Sequence, residues 1–136
     1  MLSTFLLVQA ATVTEGMVNV LSGGVTRLAR AAFPARMDVM AVAMANPAMD
    51  PERTQIEFTI VDADDPSNEI AGFGVRDLYV TPQKDADPRV LSVPLVIDLR
   101  GVVIPRPGTY LIRSEVDGEP SLSTYFQVVV ETEGHP

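Results

Sequence analysis

Cysteine and tryptophan are absent from this 136-residue chain, histidine occurs once, and 10 Lys+Arg face 18 Asp+Glu. Without cysteine there is no disulfide scaffold, no thiolate metal site, no cysteine nucleophile and no iron–sulfur ligation. The single histidine, His135, excludes a multi-histidine metal centre and makes a poor start for a Ser-His-Asp arrangement. The shortage of basic residues leaves a net charge of −8. Phosphate neutralisation needs a concentrated basic surface, so neither nucleic acid nor an anionic membrane is an expected partner. The densest basic grouping is Arg27, Arg30 and Arg36 around Phe33. It reads as a solvated loop, with a local phosphate or carboxylate contact as the alternative. Long hydrophobic runs are lacking too. Leu2–Val13 is apolar but far short of the ~20 residues that span a bilayer. No Lys or Arg precedes it, whereas a secretory signal opens on a positive segment. A first β-strand explains the run better.

What is present is a chain of one domain's length with 46% hydrophobic residues, enough to bury a core without staples. No internal repeat or low-complexity linker divides residues 1–136, and residues 132–136 read as a frayed tail. The dominant period is two. Ile56, Phe58 and Ile60 alternate with Gln55, Glu57 and Thr59. Val93, Leu95, Ile97 and Leu99 alternate with Ser92, Pro94, Val96 and Asp98, and Phe126, Val128 and Val130 alternate with Gln127 and Val129. These are half-buried strands. Pro94 cannot donate to a ladder, which places its strand at an edge or a bulge. Turn chemistry separates the runs at Thr14-Glu15-Gly16, Asn46–Pro51, Asp62–Asn68, Pro82–Pro88 and Ile104–Gly108. Asp117-Gly118 is the strongest hairpin signal, joining Thr109–Val116 to Leu122–Glu131. The pattern predicts an all-β fold, a single immunoglobulin-like β-sandwich of about eight mostly antiparallel strands.

Met37–Ala45 is apolar on both faces after Asp38. Pro34 and Pro47 leave little room for a helix, so it reads as a central strand. One face of a strand enters a two-layer core, and the second needs another cover. If a partner supplies it, Met40, Val42 and Met44 form the centre of the contact, with the strand rimmed by Tyr79 as the next interaction surface.

Asp62, Asp64 and Asp65, with Glu69 behind them, form the densest carboxylate cluster, and Asp85 and Asp87 lie in a second acidic loop. Two such loops at strand ends could hold calcium, which needs six to eight oxygens, but the spacing matches no specific calcium loop. The competing reading is that Asp starts turns by bonding its own backbone. A hydrolytic pair of Asp62 with Glu115 or Glu119 would need matched separation in a cleft, and the sequence offers no sign of one. Ser22-Gly23-Gly24 is not a phosphate-binding loop, since no Lys follows; its glycines mark a bulge or a close backbone approach. Of three tyrosines, Tyr110 follows Pro107-Gly108-Thr109 and reads as a core-corner residue, while Tyr79 and Tyr125 are open to a sugar or a partner protein. No catalytic residue and no cofactor are expected.

The run from Gly16 through Met17, Val18, Asn19, Val20, Leu21, Ser22, Gly23 and Gly24 to Arg27, followed by Phe33-Pro34, resembles the opening of a family of small uncharacterised bacterial and bacteriophage proteins. Pro105-Arg106-Pro107-Gly108-Thr109-Tyr110, Val116-Asp117-Gly118-Glu119 and Phe126-Gln127-Val128 resemble that family's closing hairpin. Met17 stands where the family often has Lys. The resemblance implies a β-sandwich of unknown function and carries over no catalytic residue. Taken together, the expectation is a non-catalytic structural or protein-interaction module. It would dock on another protein or on itself as a homo-oligomer. A virion role such as capsid decoration is the sub-hypothesis, and a small-ligand or calcium-dependent binding module on the acidic loops is the alternative. The expected location is the cytoplasm, or the virion if phage-encoded, without secretion.

Overall fold

The computed structural model describes residues 2–15, 17–45, 54–78 and 93–132, and all regular structure among them is β. The strands are β1 (Leu2–Thr14), β2 (Met17–Gly23), β3 (Arg27–Arg30), β4 (Ala35–Arg36), β5 (Met40–Ala45), β6 (Thr54–Asp62), β7 (Asp65–Leu78), β8 (Val93–Asp98), β9 (Val103–Ile104), β10 (Gly108–Val116) and β11 (Glu119–Val130). Among the described residues eleven strands replace the expected eight. The surplus comes from pieces of two to four residues, β3, β4 and β9, too short to carry a period and defined by the ladders they join. One sheet runs β2-β1-β5-β8, a second runs β3-β11-β10-β6-β7, and β4 pairs with β9. Among the described pairings only β3 with β11 is parallel.

The two large sheets face each other across a shared core. Leu7 and Ala41 of the first pack in one cluster with Ile60, Tyr110, Ile112, Phe126 and Val128 of the second. Phe5 stacks on Phe58 across the gap, with ring centroids 5.4 Å apart. Ala43 and Ala45 lie in a neighbouring cluster with Ile56 and Phe58. Alanine at these inward positions of β5 leaves room for the rings opposite, which is how facing layers interdigitate. The alternation expected in β6 is present, with Ile56, Phe58 and Ile60 buried and Gln55 and Glu57 exposed. Val61 is buried as well, because the β6–β7 register shifts between Ile60 and Val61. Val130 departs from its expected inward place and is exposed: β10 ends its pairing at Gly108 opposite Val128, so Val130 has only Arg30 of β3 beside it.

Three turns fix the layers. Asp117 and Gly118 both have positive φ, 51° and 83°, the conformation of the two-residue hairpin turn that the Asp-Gly pair predicts. The Asp117 carboxylate accepts from the Gln55 amide at 2.9 Å and its own amide donates to the Gln55 carbonyl at 2.8 Å, tying the hairpin tip to β6. After β2 the chain leaves the first sheet for the second. Ser22 and Gly24 take positive φ there, and the amides of Gly24 and Val25 both donate to the Leu7 carbonyl at 2.9 Å. The loop expected over Asp62–Asn68 shrinks to a turn at Ala63-Asp64, since β7 already begins at Asp65. Pro94 of β8 lies opposite Met44, and among the described residues β8 stands at the end of its sheet, where a proline is tolerated. The Phe33–Pro34 peptide is cis.

Candidate functional site

The acidic loop does not gather its carboxylates. Asp62 is 6% exposed, and its Oδ2 accepts from the Arg106 guanidinium at 2.5 Å while Oδ1 accepts from the Asp64 amide at 2.9 Å. The hydrogen bond from Arg106, with that amide, holds the Asp62 carboxyl below the usual carboxylate range, and burial opposes the shift. Asp64 and Asp65 are exposed, and the Asp65 carboxylate accepts from the Ser67 hydroxyl at 2.6 Å. Among the described residues no three potential metal-ligating side chains converge. Asp85 and Asp87 lie outside the described residues. Asp62 sits opposite Tyr110, whereas Glu115 sits opposite Glu57 toward the other end of β10, so no acid/base pair forms between them.

Arg106 also fixes a corner. The Tyr110 hydroxyl donates to the Arg106 carbonyl at 2.6 Å, four residues upstream. Its ring is 1% exposed and stacks on Phe126 at 5.6 Å, as expected of a core-corner tyrosine. Burial pushes the phenol's pKa up, so the hydroxyl stays a donor. Arg30 has a local architectural task. Its Nε donates to the Arg36 carbonyl at 2.9 Å and one terminal nitrogen to the Ala29 carbonyl at 2.8 Å, while the other bonds the Met37 carbonyl. The expected basic grouping therefore spends this guanidinium on backbone carbonyls of β3, β4 and the residue after β4. Arg27 and Arg36 are exposed.

Met40, Val42 and Met44 lie on the face of β5 opposite the core-facing alanines, as their spacing dictates. Met40 and Met44 are half-buried, but Val42 is 3% exposed within the single chain. It forms a third cluster with Val8 and Ala11, flanked by Leu6, Val18, Met40 and Val96. Tyr79 lies outside the described residues. Tyr125 is exposed on the outer face of the second sheet beside Leu111.

The exposed apolar surface concentrates one hairpin away from β5. Among the described residues eight large hydrophobic side chains are exposed, and Val13, Met17, Val20 and Leu21 belong to β1 and β2. Sequence reading alone passed over these four. The signal that could have found them is charge: Glu15 is the only charged residue among the first 26. A period of two with no charge on either side marks a strand pair whose two faces are both apolar.

Two facing sheets, corner tyrosine and apolar hairpin define a small all-β domain. The chain belongs to a family of unknown function (DUF6941), whose model matches residues 3–129. No curated protein matches it. The family match spans both sheets, so the hairpin and the Tyr110 corner fall within it. Among the described residues no helix is long and apolar enough to cross a membrane.

Proposed function

We propose that the protein is a non-catalytic structural and protein-interaction module, built as an immunoglobulin-like β-sandwich. In favour of that architecture, the order β11-β10-β6-β7 follows the G, F, C and C′ strands of such domains, with β5 and β8 opposite as B and E. The Tyr110 hydroxyl bonded to backbone four residues upstream resembles the tyrosine corner of the same fold. The fold alone names no partner.

The observation that carries the functional reading is the hairpin: Val13, Met17, Val20 and Leu21 exposed together on an uncharged strand pair of an acidic chain. Val13 and Val20 lie on one face of the hairpin and Met17 and Leu21 on the other, and exposed apolar side chains on both faces favour a role in docking. The test is the double substitution Met17→Glu/Leu21→Glu, at residues that are 64% and 63% exposed and so do not hold the core. The variant should keep the wild-type circular dichroism and lose the assembly that the tagged wild-type chain forms. An assembly that survives the substitution removes the hairpin from the reading. The finer proposal, decoration of a capsid, rests on the resemblance to bacteriophage proteins. It predicts that the chain bands with purified particles in a density gradient, and a chain left entirely in the soluble fraction refutes it.

A further inference from the structure

Resting on that docking reading, we infer that the partner at the hairpin is a second copy of this chain, joined edge to edge through β2. Natural sheets protect their edges with charge, proline, shortness or a cover, because an open edge pairs with any strand that reaches it. The two large sheets end, among the described residues, on four strands: β2, β8, β3 and β7. Three carry such protection. β8 has Pro94 and Asp98, β3 is four residues long with Arg27 and Arg30, and β7 has Asp65, Pro66, Glu69, Arg76 and Asp77. β2 reads Met17-Val18-Asn19-Val20-Leu21-Ser22-Gly23, with no charge and no proline over seven residues, all exposed except the half-buried Val18.

Charge selects the occupant. Two copies of a chain with net charge −8 repel, and they can meet at low cost only where charge is thinnest. That place is the segment of residues 1–26, where Glu15 is the single charge. A basic partner would be drawn instead to the carboxylates on the rest of the surface. The β2 strand of a second copy matches this edge in length, apolarity and neutrality. Antiparallel pairing about a two-fold axis makes the contact self-complementary and closed, which limits assembly to a dimer. The two four-stranded sheets then become one of order β8-β5-β1-β2-β2-β1-β5-β8.

The experiment uses the full chain and its lack of cysteine. Sedimentation across a concentration series should show a dimer, and Val20→Lys/Leu21→Lys, at exposed positions, should sediment as a folded monomer. Val18→Cys, Val20→Cys and Ser22→Cys are introduced one at a time, with Val103→Cys in β9 as an exposed control. Opposed residues of an antiparallel ladder stand about 4.5–5.5 Å apart at Cα, inside the range of about 4.4–6.8 Å that a disulfide spans. Mild oxidation should cross-link at least one β2 variant and leave the control monomeric. A chain that is monomeric throughout the series overturns the inference, as does a dimer that survives the double lysine variant or a control that cross-links equally. If the isolated chain is monomeric yet a different protein leaves it on Met17→Glu/Leu21→Glu substitution, the second-copy inference fails and the docking reading stands.

Discussion

Replacing Val42 by Asp separates two accounts of the outer face of the first sheet. In the structure the Val42 side chain is 3% exposed and surrounded by Val8, Ala11, Leu6, Val18, Met40 and Val96. Every one of these neighbours is apolar, so none offers a hydrogen-bond donor, and the only side-chain acceptor is the weak Met40 thioether. Losing the buried valine costs about 1.5–3 kcal/mol. Leaving a carboxyl without partners adds about 1–3 kcal/mol even in its neutral form. The sum, about 2.5–6 kcal/mol, is a large share of the ~5–15 kcal/mol that holds a domain folded. The buried carboxyl also acquires a raised pKa in the folded state. The folded form then binds a proton that the unfolded form has released, and the variant loses stability as pH rises above about 4, at up to ~1.4 kcal/mol per unit. Denaturant unfolding followed by circular dichroism at pH 7 and pH 4.5 measures both effects. V42D should unfold far earlier than wild type at pH 7 and recover part of the difference at pH 4.5. Val42→Ala, which removes two methyl groups, should cost only about 1.5–2.5 kcal/mol. A V42D chain with the wild-type midpoint at both pH values would refute this packing and open Met40, Val42 and Met44 to a partner.

Tyr110→Phe removes the hydroxyl that bonds the Arg106 carbonyl but leaves the ring in place. It should lower stability by about 1 kcal/mol in denaturant titration, and an unchanged midpoint would show that the corner bond contributes nothing. Arg100 binds Asp98 through two hydrogen bonds of 2.9 Å and holds its carboxyl down at about 2, from an ordinary 3.8. A depressed carboxylate stabilises the fold above its unfolded pKa and loses that contribution as pH falls, here between about 4 and 2. The thermal midpoint of Asp98→Asn should therefore fall less steeply than that of wild type over this window; parallel curves would contradict the ion pair. With the Asp62 carboxylate engaged by Arg106 and the Asp64 amide, calcium and chelator should give the same melting midpoint. A rise in calcium that disappears in Asp62→Asn/Asp64→Asn would restore the metal-binding alternative.

The parts of this fold legible in the sequence are those where one residue type does one physical task. Asp117-Gly118 specifies its turn because both positions need positive φ. Ile56, Phe58 and Ile60 announce a half-buried strand because their neighbours are polar. Pro94 announces an edge because it lacks an amide hydrogen. The elements that escaped depend on partners far along the chain. The two-residue β4 and β9 exist because Ala35 and Arg36 find Ile104 and Val103. The start of β7 was hidden by Asp65-Pro66-Ser67-Asn68, a run with turn composition of which only Asp65 pairs with β6, opposite Asp62, before the register shifts to set Glu69 opposite Val61. Alternation placed Val42 on the outer face of β5 correctly, but periodicity describes direction and not cover. Val8 and Ala11 of β1 bury it, and β1 comes alongside only through the β1–β5 register, which sets Leu6 opposite Val42 and Val8 opposite Met40. Arg106 as the partner of Asp62 was equally out of reach, since 44 residues separate them. The exposed hairpin was the one surface feature that charge counting could have exposed directly.

Hydrogen–deuterium exchange of the β2 backbone at low and high protein concentration tests the central claim most directly, because an open sheet edge exchanges with water and a paired one does not. Peptides covering Met17–Gly23 should gain protection as concentration rises, while those covering Gly108–Val116, already paired on both sides within one chain, stay unchanged. Identical β2 exchange at both concentrations, or protection that rises instead in β7 or β8, would contradict the account.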